Sequence, residues 1–245
     1  MKSLLMFLLS LLFPPGAGAG EIIGGREVKP HSRPYMAYLK YYKNGKVHEC
    51  GGFLVRKDFV LTAAHCRGSK MGVLLGAHSI AYREATQQRI PVAEKFSHDY
   101  NNRTHVNDIM LLKLVHAANM TKEVNVIRLP LPVTNVKPGT TCSVAGWGMM
   151  GANGPKTSTL QEVQLEVMPP AQCSFYRSFQ PSCQLCVGNP KSYKSSYKGD
   201  SGGPMVCGKQ AQGIVSYGRW AGKPPNVYTR ISFYLPWIKE ILQKN

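Results

Sequence analysis

The chain has 245 residues, 43% apolar and 18% charged, which excludes a disordered or low-complexity protein and leaves material for one large core or two small ones. Its 30 Lys and Arg face 13 Asp and Glu, a net charge of +17, so a polyanionic partner is expected and a cationic one is not. Glycine and proline are frequent and scattered, 24 and 17 residues, which argues against long helices and for short strands joined by turns.

Residues 1–19 carry one base, Lys2, then an apolar run ending in Phe13, then Ala17-Gly18-Ala19. This is the pattern of a secretory signal peptide. A membrane anchor is the competing reading, but the run falls short of the ~20 residues a span requires, and no later stretch approaches that length. Loss of residues 1–21 removes one base, Lys2, and one acid, Glu21, so the balance stays at +17. For a secreted protein the expected polyanion is a sulfated glycosaminoglycan such as heparin rather than nucleic acid. A surface that is basic only for solubility is the alternative.

Further along, Lys43-Asn44-Gly45 is a turn signal, and Phe59-Val60-Leu61 and Val73-Leu74-Leu75 read as buried strands. Ile109-Met110-Leu111-Leu112-Lys113-Leu114 reads the same way, and Leu129-Pro130-Leu131-Pro132 suits a crossing between two halves near 129–135. Lys137-Pro138-Gly139 and Ala152-Asn153-Gly154-Pro155 are turns on either side of another strand region. Glu162-Val163-Gln164-Leu165-Glu166-Val167 alternates, which predicts a strand with its polar residues outward. Gly213-Ile214-Val215-Ser216-Tyr217 is a buried strand, followed by the turn Gly222-Lys223-Pro224-Pro225. Only the end is helical: Tyr234, Trp237, Ile238, Ile241 and Leu242 share a face, with Pro236 at the start.

Seven cysteines in a secreted chain predict disulfides with one thiol left over, and spacing alone does not assign the pairs. No CxxC…CxxC or HExxH spacing occurs, so no metal and no cofactor are expected.

Three segments carry chemistry. Thr62-Ala63-Ala64-His65-Cys66 places an imidazole after a buried run, Asn107-Asp108 places a carboxylate at the mouth of a strand, and Gly199-Asp200-Ser201-Gly202-Gly203-Pro204 places a hydroxyl in a glycine-rich turn. Each alone reads as loop or turn. Together they supply a nucleophile, a base and a group that orients the base. A serine hydroxyl is a weak nucleophile at neutral pH and needs an imidazole to take its proton, and the imidazole needs a buried carboxylate to fix its tautomer.

On TAAHC, GDSGGP and Ile22-Ile23-Gly24-Gly25, the sequence resembles the chymotrypsin family from Ile22 to its end. Lys29-Pro30-His31-Ser32-Arg33-Pro34-Tyr35-Met36 and Tyr228-Thr229-Arg230-Ile231-Ser232 are similar to the mast-cell chymase, granzyme and cathepsin G group, chymases above all. The resemblance implies an all-β fold, two packed antiparallel six-stranded β-barrels over 22–245 with a C-terminal α-helix. It implies His65, Asp108 and Ser201 as a catalytic triad, with the Gly199 and Ser201 N–H groups as the oxyanion hole. Removal of the activation dipeptide 20–21 would free the Ile22 amino group to pair with Asp200. Implied disulfides are Cys50–Cys66, Cys142–Cys207 and Cys173–Cys186, leaving Cys183 as a free thiol or an intermolecular bridge.

In the primary pocket the resemblance puts uncharged Ser195 at the floor and open Gly218 on the wall. Cleavage after Phe, Tyr, Trp or Leu follows, unless Asn226 on the back wall imposes another preference. Ser216, Tyr217 and Gly218 would pair with the substrate backbone, and Lys198 would sit at the rim. Expected partners are protein or peptide substrates, heparin-like proteoglycan, serpin-type inhibitors and an activating dipeptidyl peptidase. Expected storage is in secretory granules. A granzyme-type role and a non-catalytic, polyanion-binding relative are the alternatives. Asn102-Arg103-Thr104 and Asn119-Met120-Thr121 are glycosylation sequons.

Overall fold

The computed structural model describes residues 23–132, 135–149, 154, 156–219 and 222–245. The leader, residues 20–21 and Ile22 therefore lie outside the described residues, as do two positions of the expected crossing, 133 and 134.

In chain order the strands are β1 (Arg26–Glu27), β2 (Met36–Lys43), β3 (Lys46–Arg56), β4 (Phe59–Thr62), β5 (Ser69–Leu75), β6 (Gln88–Ser97) and β7 (Met110–Leu114). After a crossing come β8 (Thr141–Gly146), β9 (Gln161–Met168), β10 (Gln184–Val187), β11 (Pro204–Cys207), β12 (Gln210–Tyr217) and β13 (Asn226–Arg230). The helix α1 (Leu235–Lys244) closes the chain. Strands β2-β3-β4-β7-β6-β5 form a closed barrel, and β8-β9-β10-β13-β12-β11 close on themselves because β8 pairs with both β9 and β11. β1 adds to the start of β9. This is the expected pair of six-stranded antiparallel barrels.

Local chemistry accounts for these elements. The β2–β3 hairpin is closed by Asn44 and Gly45 at φ 52 and 72, left-handed angles that a two-residue hairpin turn requires and that this pair tolerates. In the first barrel Leu39, Phe53, Phe59 and Leu61 are fully buried, each worth roughly 1.5–3 kcal/mol of burial. The second barrel closes over Val163, Leu165, Leu185 and Tyr228. Between the barrels, Met36, Tyr38 and Leu74 of the first pack on Ala145, Trp147 and Leu160 of the second. The Trp147 indole N–H donates to His78 O at 3.0 Å across this seam.

One expectation fails. The alternation in β9 places Glu162 outward, yet it is only 5% exposed. Arg33 explains this: its guanidinium donates to both Glu162 oxygens at 2.8 Å, a bidentate pair that neutralises the buried carboxylate. The helix follows expectation, with Ile238 buried and Pro236 in its first turn, although Tyr234 lies in the turn before it.

Disulfides join Cys50–Cys66, Cys142–Cys207 and Cys173–Cys186, the pairs the resemblance implies, and Cys183 is a buried free thiol. Both sequon asparagines, Asn102 and Asn119, are exposed. Among the described residues no helix is long and apolar enough to cross a membrane.

Candidate active site

His65 sits in a single 3-10 turn, Ala64–Cys66, at the end of β4. The Cys50–Cys66 bridge ties that turn to β3. Asp108 enters β7 from the neighbouring loop and is completely buried. The two meet: His65 Nδ1 lies 2.8 Å from Asp108 Oδ2, and the His65 backbone N–H donates to Oδ1 at 2.9 Å. Second-barrel residues complete the shell. Ser216 Oγ donates to Asp108 Oδ2 at 2.5 Å, and Thr229 Oγ1 donates to the Asp108 carbonyl at 2.8 Å. Burial by itself would push the Asp108 carboxyl up. The adjacent His65 ring and the hydrogen bonds from His65 and Ser216 outweigh it and hold the group below its ordinary value. An ionised Asp108 can only accept, so Nδ1 carries the ring proton and Nε2 is left as the basic nitrogen.

Ser201 belongs to the second barrel, in the turn leading to β11. Its carbonyl accepts from Gly51 N–H on β3 at 2.7 Å, which fixes the Ser201 turn to the barrel that carries His65. Among the described residues the Ser201 hydroxyl and the His65 ring share no hydrogen bond, a contact that commonly tightens only on substrate binding. The turn tolerates only glycine at 199: φ is +100, and a Cβ there would stand 2.7 Å from Gly148 Cα. The Gly199 and Ser201 N–H groups have no protein acceptor among the described residues.

Asp200 is fully buried and points away from Ser201. Gly148 N–H donates to its Oδ1 at 3.0 Å and Tyr197 N–H to its Oδ2 at 2.8 Å. Burial raises its carboxyl to about 7, against the opposing pull of those two N–H groups and of Lys156. Ile23 O accepts from Ser195 N–H at 3.1 Å, so the described N-terminus enters beside this loop.

A cavity of about 190 Å³ opens beside Ser201, walled by Val215, Ser216, Tyr217 and Gly218 and ended by Asn226. Ser195, expected at its floor, is only 1% exposed and lies behind Asn226. The Asn226 amide donates to Ser195 Oγ at 2.9 Å and to Ser196 O at 3.1 Å. A carbonyl can only accept, so Nδ2 must face it and the Asn226 Oδ1 must face the other way. That oxygen is buried without a partner and would lie 2.1 Å from a Cβ on Gly218. Gly218 thus leaves space that Asn226 fills.

Several neighbours escape sequence reasoning. His105 stacks on Tyr217 with ring centroids 4.8 Å apart, and Tyr176 meets Tyr217 edge-on at 5.4 Å, so the strand beside the cavity is walled by aromatics. Lys156 pairs with Glu49 on β3 and approaches Gly199. Lys198 sits near Tyr197, its Nζ 5.9 Å from the ring centroid. Cys50, His65 and Cys66 come within 4.8 Å of one another, but the two sulfurs form the disulfide and offer no thiolate to a metal.

Residues 22–238 match the family model described as Trypsin. The chain is 56% identical to duodenase-1 of Bos taurus over 243 residues, covering 98% of this chain and 96% of that one. It is 55% identical to chymase of Papio hamadryas over 240 residues, covering 97% of each. The solved structure described as "Structure of GrC" superposes with a TM-score of 0.87 at 49% identity, covering 91% of this chain and all of that one.

Proposed function

Because the chain belongs to the trypsin family and is a serine endopeptidase of the group that includes chymases, cathepsin G and granzymes, we propose that His65, Asp108 and Ser201 are its catalytic triad. The observation that carries this is the hydrogen-bonded His65–Asp108 pair beside the Ser201-lined cavity. His65 Nε2 takes the Ser201 Oγ proton as Oγ bonds to the scissile carbonyl carbon. The Gly199 and Ser201 N–H groups receive the oxyanion. His65 then gives its proton to the leaving amine as the C–N bond breaks, and water, deprotonated by the same ring, releases the acyl group. Asp108 keeps Nδ1 protonated throughout.

The substrate backbone adds to Ser216–Gly218 as an extra strand. The cavity lining combines Val215 and Tyr217 with serines and Asn226, and its charged residues, Lys198 and Arg219, are both basic. With no carboxylate to hold Lys or Arg, it favours Phe, Tyr, Trp or Leu, and the unpaired Asn226 Oδ1 favours tips that donate, Tyr above Phe. A second reading rests on the same oxygen: side chains with a terminal amide, Asn or Gln, donate to it as well. Lys198 flanks the rim. Secretion by the leader 1–19, storage in granules on heparin-like proteoglycan, glycosylation at Asn102 and Asn119, and activation by a dipeptidyl peptidase complete the proposal. Control by serpin-type inhibitors fits it.

The test is a cleavage profile of the activated protein on a mixed peptide library, with labelling of Ser201 by a phosphonate in parallel. Cleavage after Tyr, Trp, Phe or Leu is expected. Cleavage after Asn or Gln would establish the second reading, cleavage after Lys, Arg or acids would overturn both, and neither cleavage nor labelling would leave a basic binding protein.

A further inference from the structure

A second cleft opens where the strands of the second barrel end away from the reaction. Val206 of β11 stands opposite Ser143 of β8, and Ser143 opposite Gln164 of β9. Their neighbours Cys142, Val144, Val163, Leu165 and Cys207 belong to the core, so this row faces outward. It makes a mostly polar floor, with Thr141 at its end. Residues 32–35 and 126–128 form the walls. Asn125 N–H ties the two walls together by donating to Pro34 O at 3.0 Å. Ile127 N–H donates to Leu54 O in the first barrel, and Arg128 O accepts from Ala211 N–H in the second, both at 3.0 Å. The walls are therefore fixed to both barrels, and the cavity between them measures about 510 Å³.

The cleft is cationic, and its polar groups are unused. Arg128 and Lys209 line it and no carboxylate does. Among the described residues neither has an ion-pair partner, whereas the third cation, Arg33, is held by Glu162. The Thr141, Ser143 and Gln164 side chains make no hydrogen bond among the described residues. The floor strands pair with one another, β11 with β8 and β8 with β9, so they offer no open edge for a peptide to extend. What fits is a ligand rich in oxygens with its negative charge spread out. Arginine meets a sulfate with two parallel N–H bonds, and half-buried Pro34 and Tyr35 give the C–H face of a sugar ring a surface to lie on. The strands also set the distance from the reaction centre. β12 starts at Gln210, next to Lys209, and ends at Tyr217 in the substrate cleft; its 8 residues span about 23 Å. β8 and β11 likewise have one end at this cleft and the other at the loops of Gly148 and Ser201.

We propose that this cleft seats a sulfated unit of a glycosaminoglycan chain, with sulfates on Arg128 and Lys209 and sugar hydroxyls on Thr141, Ser143 and Gln164. The choice of ligand rests on the proposed polyanion partner; the place comes from the cleft itself and not from the net charge. A protein held there keeps its substrate cleft open while it is bound to the chain.

Binding of a heparin hexasaccharide is measured by titration calorimetry on the Ser201→Ala protein, which needs no catalytic activity. Arg128→Ala with Lys209→Ala should weaken it about tenfold or more, because two charge-assisted contacts go. The slope of log affinity against log salt should fall by about two, one per cation removed. Lys57→Ala with Arg83→Ala takes the same charge from exposed positions outside the cleft and should do neither. Ser143→Tyr, at an outward strand position that accepts a ring, fills the floor without changing the charge. It should weaken the hexasaccharide by about tenfold or more through lost hydrogen bonds, while an all-Asp peptide, which reads charge alone, should be indifferent. Should Ser143→Tyr fail to fold, the two alanine pairs decide the question by themselves. Equal effects of the two alanine pairs would overturn the site, and equal loss of the peptide on Ser143→Tyr would overturn the ligand. No binding by the parent protein at low salt would overturn the polyanion reading and this proposal with it. In the active protein, saturating hexasaccharide should leave kcat/KM on a short reporter peptide unchanged, and competitive inhibition would move the saccharide to the substrate cleft and overturn the proposal. Failure to cut the reporter without saccharide would instead overturn the protease reading and leave the calorimetry standing.

Discussion

Replacing Asn226 by alanine tests the pocket directly. When Phe enters the cavity, the Asn226 Oδ1 stays desolvated without a donor, as it is in the empty protein. When Tyr enters, its hydroxyl can donate to that oxygen. A buried acceptor left unpaired costs about 1–3 kcal/mol, so kcat/KM for Tyr should exceed that for Phe by roughly 5- to 150-fold. Asn226→Ala removes the acceptor and the bulk next to Gly218 together. Its own partners are not orphaned by the change, because Ser195 Oγ still donates to Ser196 O and Ser196 Oγ still meets the Tyr228 hydroxyl. The Tyr-to-Phe ratio should therefore fall toward unity and Trp should gain most, since the cavity deepens toward Ser195. The assay is kcat/KM on matched peptides differing only in the residue before the cut. An unchanged Tyr-to-Phe ratio in the variant would refute the reasoning, because something other than Asn226 would then be reading the side-chain tip.

Further expectations follow from the same geometry. Asp108→Asn should lower kcat about 10⁴-fold, because an amide facing Nδ1 stabilises the wrong tautomer, while heparin retention stays unchanged. In the uncleaved precursor the Ile22 nitrogen is an amide, and Asp200 carries a carboxyl raised to about 7. A folded-state value above the unfolded one gives stability that is complete below about pH 4 and lost as pH rises through 7. The precursor's Tm should drop over that window, and Asp200→Asn should flatten the profile; parallel profiles would count against the assignment. The net charge of +17 should make retention on heparin fall steeply between about 50 and 200 mM salt, and a salt-insensitive column profile would contradict polyanion binding.

What the sequence made legible was whatever is written locally. Asn44-Gly45 announces its hairpin because only its own backbone angles matter, and the three segments proposed to form the triad announce their chemistry by residue type. The alternation of β9 was readable too, but not the burial of Glu162 on its outer face, whose partner Arg33 lies in a different part of the chain and is brought in only when the barrels dock. Ser195 and Gly218 were identified as pocket residues, yet their effect depends on Asn226 crossing between them, a contact that spacing does not encode. His105 and Lys156 carried no signal at all: each matters through what the fold lays beside it, Tyr217 in one case and Gly199 in the other.

The bond from Gly51 N–H to the Ser201 carbonyl has a consequence for how this protein fails. Imidazole and carboxylate belong to one barrel and the hydroxyl to the other, and Ser216 and Thr229 reach back from the second to grip Asp108. On the proposed triad, neither half carries all three groups. A slip of the two bodies by the length of one hydrogen bond would silence the proposed hydrolysis while each barrel kept its own interior, and the seam pair Tyr38 and Trp147 would report the shift. Damage along the seam would therefore register as lost turnover before either barrel loses its own core.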